Sequence, residues 1–215
     1  LLIIDLHTHT TPDSDDSSLS IGELIEVSKK CGLNGICITN HDRFLSIKES
    51  ISLSKTYDFL VIAGVEITTD EGHLITFGLE TYIFGMHRAS FVNSLVKKSN
   101  GAMILAHPYR RIFNEDQNKN SLEYEEMISR ALTNPTLSMV DSIDTLNGRG
   151  NYHQNQFSKE IALRSQIPGS GASDAHSVAD IGTCATEFID EIKNIQELII
   201  ALKRGRFHPI KLRND

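Results

Sequence analysis

Six of the chain's nine histidines, His7, His9, His41, His73, His107 and His176, fall at or near the ends of short apolar runs. The carboxylates Asp16, Glu66 and Asp174 fall in the same places. Side chains alternate along a strand, so His7 and His9 in Asp5-Leu6-His7-Thr8-His9 point the same way, and two imidazoles on one face can chelate one metal. Asp174-Ala175-His176 repeats that spacing after Gly169-Ser170-Gly171, a turn in which glycine lets backbone come close to a ligand. Glu66 follows the apolar run from Phe59 to Val65. A carboxylate at the end of a buried strand is costly unless it is paired or bound to metal, and one carboxylate can bridge two cations. Imidazole and carboxylate together suit Zn, Mn or Fe, whereas Cys31, Cys37 and Cys184 lie outside the cluster, which disfavours a thiolate structural zinc site.

Such a cluster needs a frame that brings strand ends together. Short β-type runs at Leu1 to Leu6, Gly35 to Thr39, Phe59 to Ala63, His73 to Phe77, Ala102 to Ala106, Val140 to Leu146 and Thr183 to Ile189 alternate with helical patterns. The helices are expected after Ser20, whose capping box with Glu23 leads to Leu24, Ile25 and Val27, and near Ile47 to Lys55, Ala89 to Ser99, Ser121 to Leu132, Tyr152 to Ser165 and Ile195 to Lys203. This order predicts an α/β fold with a parallel sheet and crossover helices, in one domain spanning residues 1–215. In a barrel of parallel strands the C-terminal ends converge on one face, where active sites form. The polar segment from Arg110 to Asn120 reads as a mobile loop.

A formal net charge of -7 gives no overall attraction to a long polyanion, so long nucleic acid is not an expected partner, while a small anion gripped locally is. The odd cysteine count, without disulfide-framework spacing, reads as a reducing, cytoplasmic compartment. The apolar start is interrupted at Asp5, and no stretch approaches the roughly 20 apolar residues that span a bilayer, so no membrane association is expected.

The chain resembles the polymerase and histidinol phosphatase (PHP) family, in its branch of small stand-alone phosphoesterases. The resemblance runs from Asp5 to about Thr186. It is carried by Asp5-Leu-His-Thr-His-Thr, Ser14-Asp-Asp-Ser-Ser-Leu-Ser, Ile38-Thr-Asn-His-Asp, Gly64-Val-Glu-Ile, Gly72-His-Leu-Ile, Ala106-His-Pro, Asn147-Gly-Arg and Gly171-Ala-Ser-Asp-Ala-His. It implies a distorted (β/α)7 TIM-like barrel with two or three divalent metal ions at one face, and a metal-bridging hydroxide as the attacking group. Residue by residue, it implies that His7, His9, Glu66 and Asp174 hold one metal. Glu66 would bridge to a second held by His73 and His107, and Asp16, His41 and His176 would hold the third. Asp16 is preferred over Asp15 on its spacing from Leu19-Ser20. The departure is Asn40, where the family has Asp; Asn cannot supply the negative charge that raises the basicity of a ligating imidazole.

For catalysis the residues singled out are Glu66, His41 and His176, the two histidines serving as acids toward a leaving group only when free of metal. Arg149, Arg43, Arg110 and Asn147 are the candidates for binding substrate, since a guanidinium offers a planar fork to phosphate oxygens. The expected substrate is a small phosphorylated molecule such as a nucleotide, a sugar phosphate or a histidinol-phosphate-like ester. Three other readings stand beside it: a nuclease or oligonucleotide phosphodiesterase, a non-catalytic metal-stabilised interaction module, and an amidohydrolase using a similar barrel.

Overall fold

The computed structural model describes residues 1–110 and 121–213. The expected mobile loop, apart from Arg110, lies outside the described residues. The chain runs β1 (Leu2–Thr8), α1 (Ile21–Lys30), β2 (Gly35–Ile38), α2 (Ile47–Tyr57), β3 (Leu60–Ala63), β4 (Val65–Thr69), β5 (Gly72–Phe77), α3 (Ala89–Lys98) and β6 (Ala102–Leu105). It continues through α4 (Leu122–Ala131), a 3-10 turn (Pro135–Ser138), β7 (Ser142–Asn147), α5 (Tyr152–Ser165), β8 (Gly169–Ala172), β9 (Cys184–Phe188), α6 (Ile195–Arg204) and β10 (Phe207–Lys211).

Polar residues mark where the helices begin. The hydroxyls of Ser20, Ser46 and Ser121 and the amide oxygens of Asn151 and Asn194 each accept a backbone N–H of the first turn, with full capping boxes at Ser46/Glu49 and Asn151/Gln154. Gly205 ends α6 at φ 66°, a left-handed conformation that glycine adopts without strain.

The ladders form two mixed five-stranded sheets, ordered β10-β9-β1-β2-β3 and β4-β5-β6-β7-β8. A single closed sheet of seven parallel strands is therefore not what the hydrogen bonds draw. Strand β5 runs antiparallel to both β4 and β6, and β9 runs antiparallel to both β1 and β10. The two sheets nevertheless share one core. Ile4, Leu6, Ile62, Ile75, Phe77, Ile104, Ala172 and Phe188 pack together and are closed off by Ile195, Leu198 and Leu202 of α6. Alternate residues of the second sheet, Leu74, Met103 and Leu105 among them, instead face Val92, Val96, Ile128, Phe157 and Ile161 of α3, α4 and α5. Leu24 and Ile25 of α1 cover Ile36, Ile38 and Val61 of the first sheet.

The sheets meet at two seams. At one, the chain crosses from β3 to β4 through Gly64, where a Cβ would come within 2.8 Å of the Phe77 ring, and an isolated bridge pairs His41 with Glu66. At the other, Thr8 bridges Ala175, the Asp174 N–H donates to the His7 carbonyl, and the His9 N–H donates to the Ala175 carbonyl. Both seams therefore carry histidines and carboxylates, His41 with Glu66 at one and His7, His9 and Asp174 at the other.

Candidate metal centre

All nine residues expected as ligands come together in one cluster spanning the two seams. At its centre is Glu66, fully buried, with five imidazoles on its two oxygens. Oε2 lies 3.0 Å from His7 Nε2, 3.1 Å from His9 Nε2 and 3.1 Å from His41 Nδ1. Oε1 lies 2.7 Å from His73 Nδ1 and 3.1 Å from His107 Nε2. Asp174 closes the deep side, with Oδ1 3.5 Å from His7 Nε2 and 3.4 Å from His9 Nε2. Asp16 closes the open side, its Oδ2 3.0 Å from His176 Nε2 and 3.5 Å from His41 Nε2.

Backbone geometry delivers these groups. His73 sits at the start of β5, not at a strand's C-terminal end; because β5 is reversed, its start lies beside the ends of its neighbours. His107 and Asp174 follow β6 and β8 with φ of 27° and 55°, left-handed conformations that cost a side-chain-bearing residue free energy and cluster at functional sites. Gly148 follows β7 where a Cβ would stand 2.8 Å from the Ser173 carbonyl oxygen, so the Asn147-Gly148-Arg149 turn can lie against the Asp174 segment only with glycine there.

The electrostatics suit cations. Burial would raise the Glu66 carboxyl, but His7, His107 and His73 hold it well below the usual carboxylate range. Asp174 is likewise held low against burial, by His7 and His9 among others. Burial pulls His41, His107 and His176 below the ordinary imidazole value, so they present neutral rings, the state in which histidine ligates metal. His7 is the exception: burial opposes its charge, yet Glu66 and Asp174 outweigh burial and push it up to about 9.

Hydrogen bonds alone do not account for the arrangement. A carboxylate offers about four lone-pair sites, yet five imidazole nitrogens converge on Glu66. His7 Nε2 and His9 Nε2 face each other at 2.9 Å, and the buried His7 Nδ1 has no hydrogen-bond partner. Four triads have ligand atoms within 4.8 Å of one another: His9/His41/His176, His7/His9/Glu66, His7/His107/Asp174 and His41/Glu66/His73. These donors fit divalent cations, all nitrogen and oxygen with no thiolate. The triads divide the ligands differently from the sets that the resemblance implies, since His7, His9 and His41, as well as Glu66, each belong to two of them.

The substrate-binding candidates fare unequally. Arg149 Nη1 lies 2.8 Å from His176 Nδ1, and Arg110 pairs with Asp174 and donates to Asn147 Oδ1 at 3.3 Å. Asn147 also accepts the Arg149 backbone N–H at 3.0 Å, so both arginines are anchored on one amide at the rim. Arg43 is exposed and, among the described residues, makes no side-chain hydrogen bond or ion pair.

Four residues had no expected role. Asp5, fully buried and pushed up to about 7 by burial, accepts the Ser173 and His7 backbone N–H groups and the Ser173 hydroxyl, tying the two ligand-bearing segments together. Asp144, also buried and pushed up to about 6, accepts from Asn147 Nδ2 at 2.9 Å and from the His107 N–H at 3.4 Å. A carboxylate inside the apolar run Val140 to Leu146 was the available signal for it. Thr10 and Ser14 join Asn40 behind His9; Asn40, 2 % exposed, bonds to these two hydroxyl residues and not to the His41 ring.

Comparison with known proteins agrees with this architecture. A family model described as PHP-associated matches residues 152–207. An uncharacterized protein of Methanocaldococcus jannaschii is 31% identical over 121 residues, covering 50% of this chain and 68% of that one. Among solved structures, a two-domain protein from Bacteroides vulgatus containing a predicted PHP-like metal-dependent phosphoesterase superposes with a TM-score of 0.67 at 19% identity. The alignment covers 98% of this chain and 64% of that one, so this chain spans about two thirds of its length. A protein from Bifidobacterium adolescentis, named as a metal-dependent phosphoesterase, gives 0.61 at 16% identity, covering 94% and 96%. An amidohydrolase from Chromobacterium violaceum with bound sulfate gives 0.66 at 13% identity, covering 98% of each chain. At such identities these structures speak for the fold.

Proposed function

The chain belongs to the PHP family, and we propose that it is a phosphoric ester hydrolase acting on a small phosphorylated molecule with two or three divalent cations. The observation that carries the proposal is the convergence of five imidazoles on Glu66. His7, His9, Glu66 and Asp174 would hold the deep cation, Glu66 with His73 and His107 a second, and Asp16, His41 and His176 a third. The same reading takes the two sheets as the halves of a distorted (β/α)7 barrel whose catalytic face lies across both seams.

Bound cations would supply an acidified water and positive charge toward phosphoryl oxygens. The chain's own residues do the rest. Glu66 would help hold neighbouring cations, and His41 and His176 lie with Asp16 on the open side, where an ester would enter. Arg149 and Arg110, held at the rim by Asn147, are placed to grip oxygens that do not react. The polar, partly exposed rim and the acidic net charge favour a nucleotide, sugar phosphate or histidinol-phosphate-like ester over a long nucleic acid. The unpaired cysteines, spaced without a disulfide pattern, support placing it in a reducing cytoplasm. Among the described residues no helix is long and apolar enough to cross a membrane.

An amide hydrolase is the second reading, favoured by the likeness to the amidohydrolase fold. Phosphate release from a panel of nucleotides, sugar phosphates and histidinol phosphate, run beside a panel of cyclic amides with added Mn or Zn, separates the two. Metal-dependent release from at least one phosphate ester is the expected result. Turnover of amides alone would overturn the proposal.

A further inference from the structure

Behind the cluster lies a buried chain of hydrogen bonds that ends on His9. The Thr10 backbone N–H, which can only donate, lies 2.7 Å from Asn40 Oδ1, and this fixes the orientation of the Asn40 amide. Asn40 Nδ2 in turn donates to Thr10 Oγ1 at 3.1 Å. With Oδ1 so placed, the Ser14 hydroxyl 3.2 Å away must direct its single proton there, because two oxygens at that distance without a proton between them repel. Ser14 Oγ then has only lone pairs left. One faces the His41 backbone N–H at 3.3 Å and the other faces His9 Nδ1 at 3.1 Å. His9 must therefore donate from Nδ1. Its Nε2 is left with a lone pair, which faces His7 Nε2 at 2.9 Å, Glu66 Oε2 at 3.1 Å and Asp174 Oδ1 at 3.4 Å, a set of nitrogen and oxygen atoms that a divalent cation fits.

We propose that Ser14 and Asn40 are positioning residues that hold His9 in its Nδ1–H tautomer and so present Nε2 to the cation site. The relay is fully enclosed: His9 is 0 %, Ser14 1 % and Asn40 2 % exposed, so water does not compete for these bonds. The Asn40 amide thus acts on His9 through Ser14 and not on its sequence neighbour His41. Asp at this position would keep the relay, with the Thr10 hydroxyl turning to donate, and would add negative charge behind Ser14.

This inference deepens the metal-dependent reading and rests on it, but its test needs no substrate. Long-range proton–nitrogen NMR of the metal-free wild type reads the His9 tautomer directly, and competition titration with zinc reads affinity. The relay requires the Nδ1–H form. It also requires Ser14→Ala to weaken one zinc equivalent roughly 10- to 100-fold, the usual effect of removing the partner of a ligating histidine. Asn40→Ala should weaken the same equivalent, the double variant Ser14→Ala/Asn40→Ala should add little to either, and Asn40→Asp should match or exceed wild type. An Nε2–H tautomer in the metal-free wild type, or wild-type zinc affinity in folded Ser14→Ala, would overturn the relay. Wild type that binds no zinc but shows Nδ1–H at His9 would keep the relay and sink the metal-dependent function instead.

Discussion

At one end of the strands Phe77, Ile104 and Phe188 pack with Leu198 of α6; at the other His7, His9, Glu66 and Asp174 meet across the seams, and all eight are at most 1 % exposed. The apolar end gains from every atom removed from water, roughly 25 cal/mol per Å². The polar end places two carboxylates and a ring of imidazoles where hydrogen bonds cannot satisfy them all, a net cost unless a ligand compensates. Equal burial thus has opposite meanings: the first end holds the fold together, and the second uses the stability so gained to keep a binding site ready.

The sharpest way to break this contrast is Glu66→Ala. Removing the carboxylate on which five imidazoles converge should lower phosphate release at least about 10³-fold, more than 4 kcal/mol of transition-state stabilisation, and reduce the bound metal measured by elemental analysis. At the opposite end, Phe77→Ala should cost about 3–5 kcal/mol of unfolding free energy in urea melts while leaving metal stoichiometry unchanged. Parallel losses in both variants would show that the two ends are not separable.

Metal removal comes next in size. A ligand that binds only the folded state at 100 times its Kd stabilises by about 2.7 kcal/mol, which for a chain of this size is a fall in Tm of roughly 5–10 °C when chelator is added. Arg149→Ala should then raise KM about 10-fold with little change in bound metal, while Arg43→Ala, exposed and without a polar contact among the described residues, should stay within about 2-fold of wild type. The smallest effect concerns the thiols. Burial pushes the Cys184 thiol up to about 12 and raises Cys37 well above its ordinary value. Only about 10⁻⁴ of Cys184 is thiolate at pH 8, so alkylation of the native protein should mark Cys31 alone. Raising the pH toward 10 increases the thiolate fraction yet leaves it about one part in a hundred.

Much of the site was legible because its residues are short motifs with local geometry. His7 and His9 announce themselves by spacing, and Asp174-Ala175-His176 by repeating it, although the Gly169-Ser170-Gly171 segment before it, expected as a turn, is strand β8. The fold was legible where periodicity is strong, as in α1, α3 and α6, whose buried positions follow the helical repeat. Three strands were not. Strand β4 merges with β3 into one apolar run broken only at Gly64. Strand β8 is Gly-Ser-Gly-Ala, which has no strand-forming side chains. Strand β10 contains Pro209, tolerated because β10 is a sheet edge. The bonds that shape the site were hidden for another reason: Ser14 and Asn40 are 26 residues apart, and Asp5 and Ser173 are 168 apart. No local pattern reports such pairings.

The most direct test of the whole account is elemental analysis of the purified wild-type protein, as isolated and after stripping and reloading with Mn or Zn. The proposed function predicts two or three metal ions per chain after reloading. Less than one ion per chain under both conditions would contradict it.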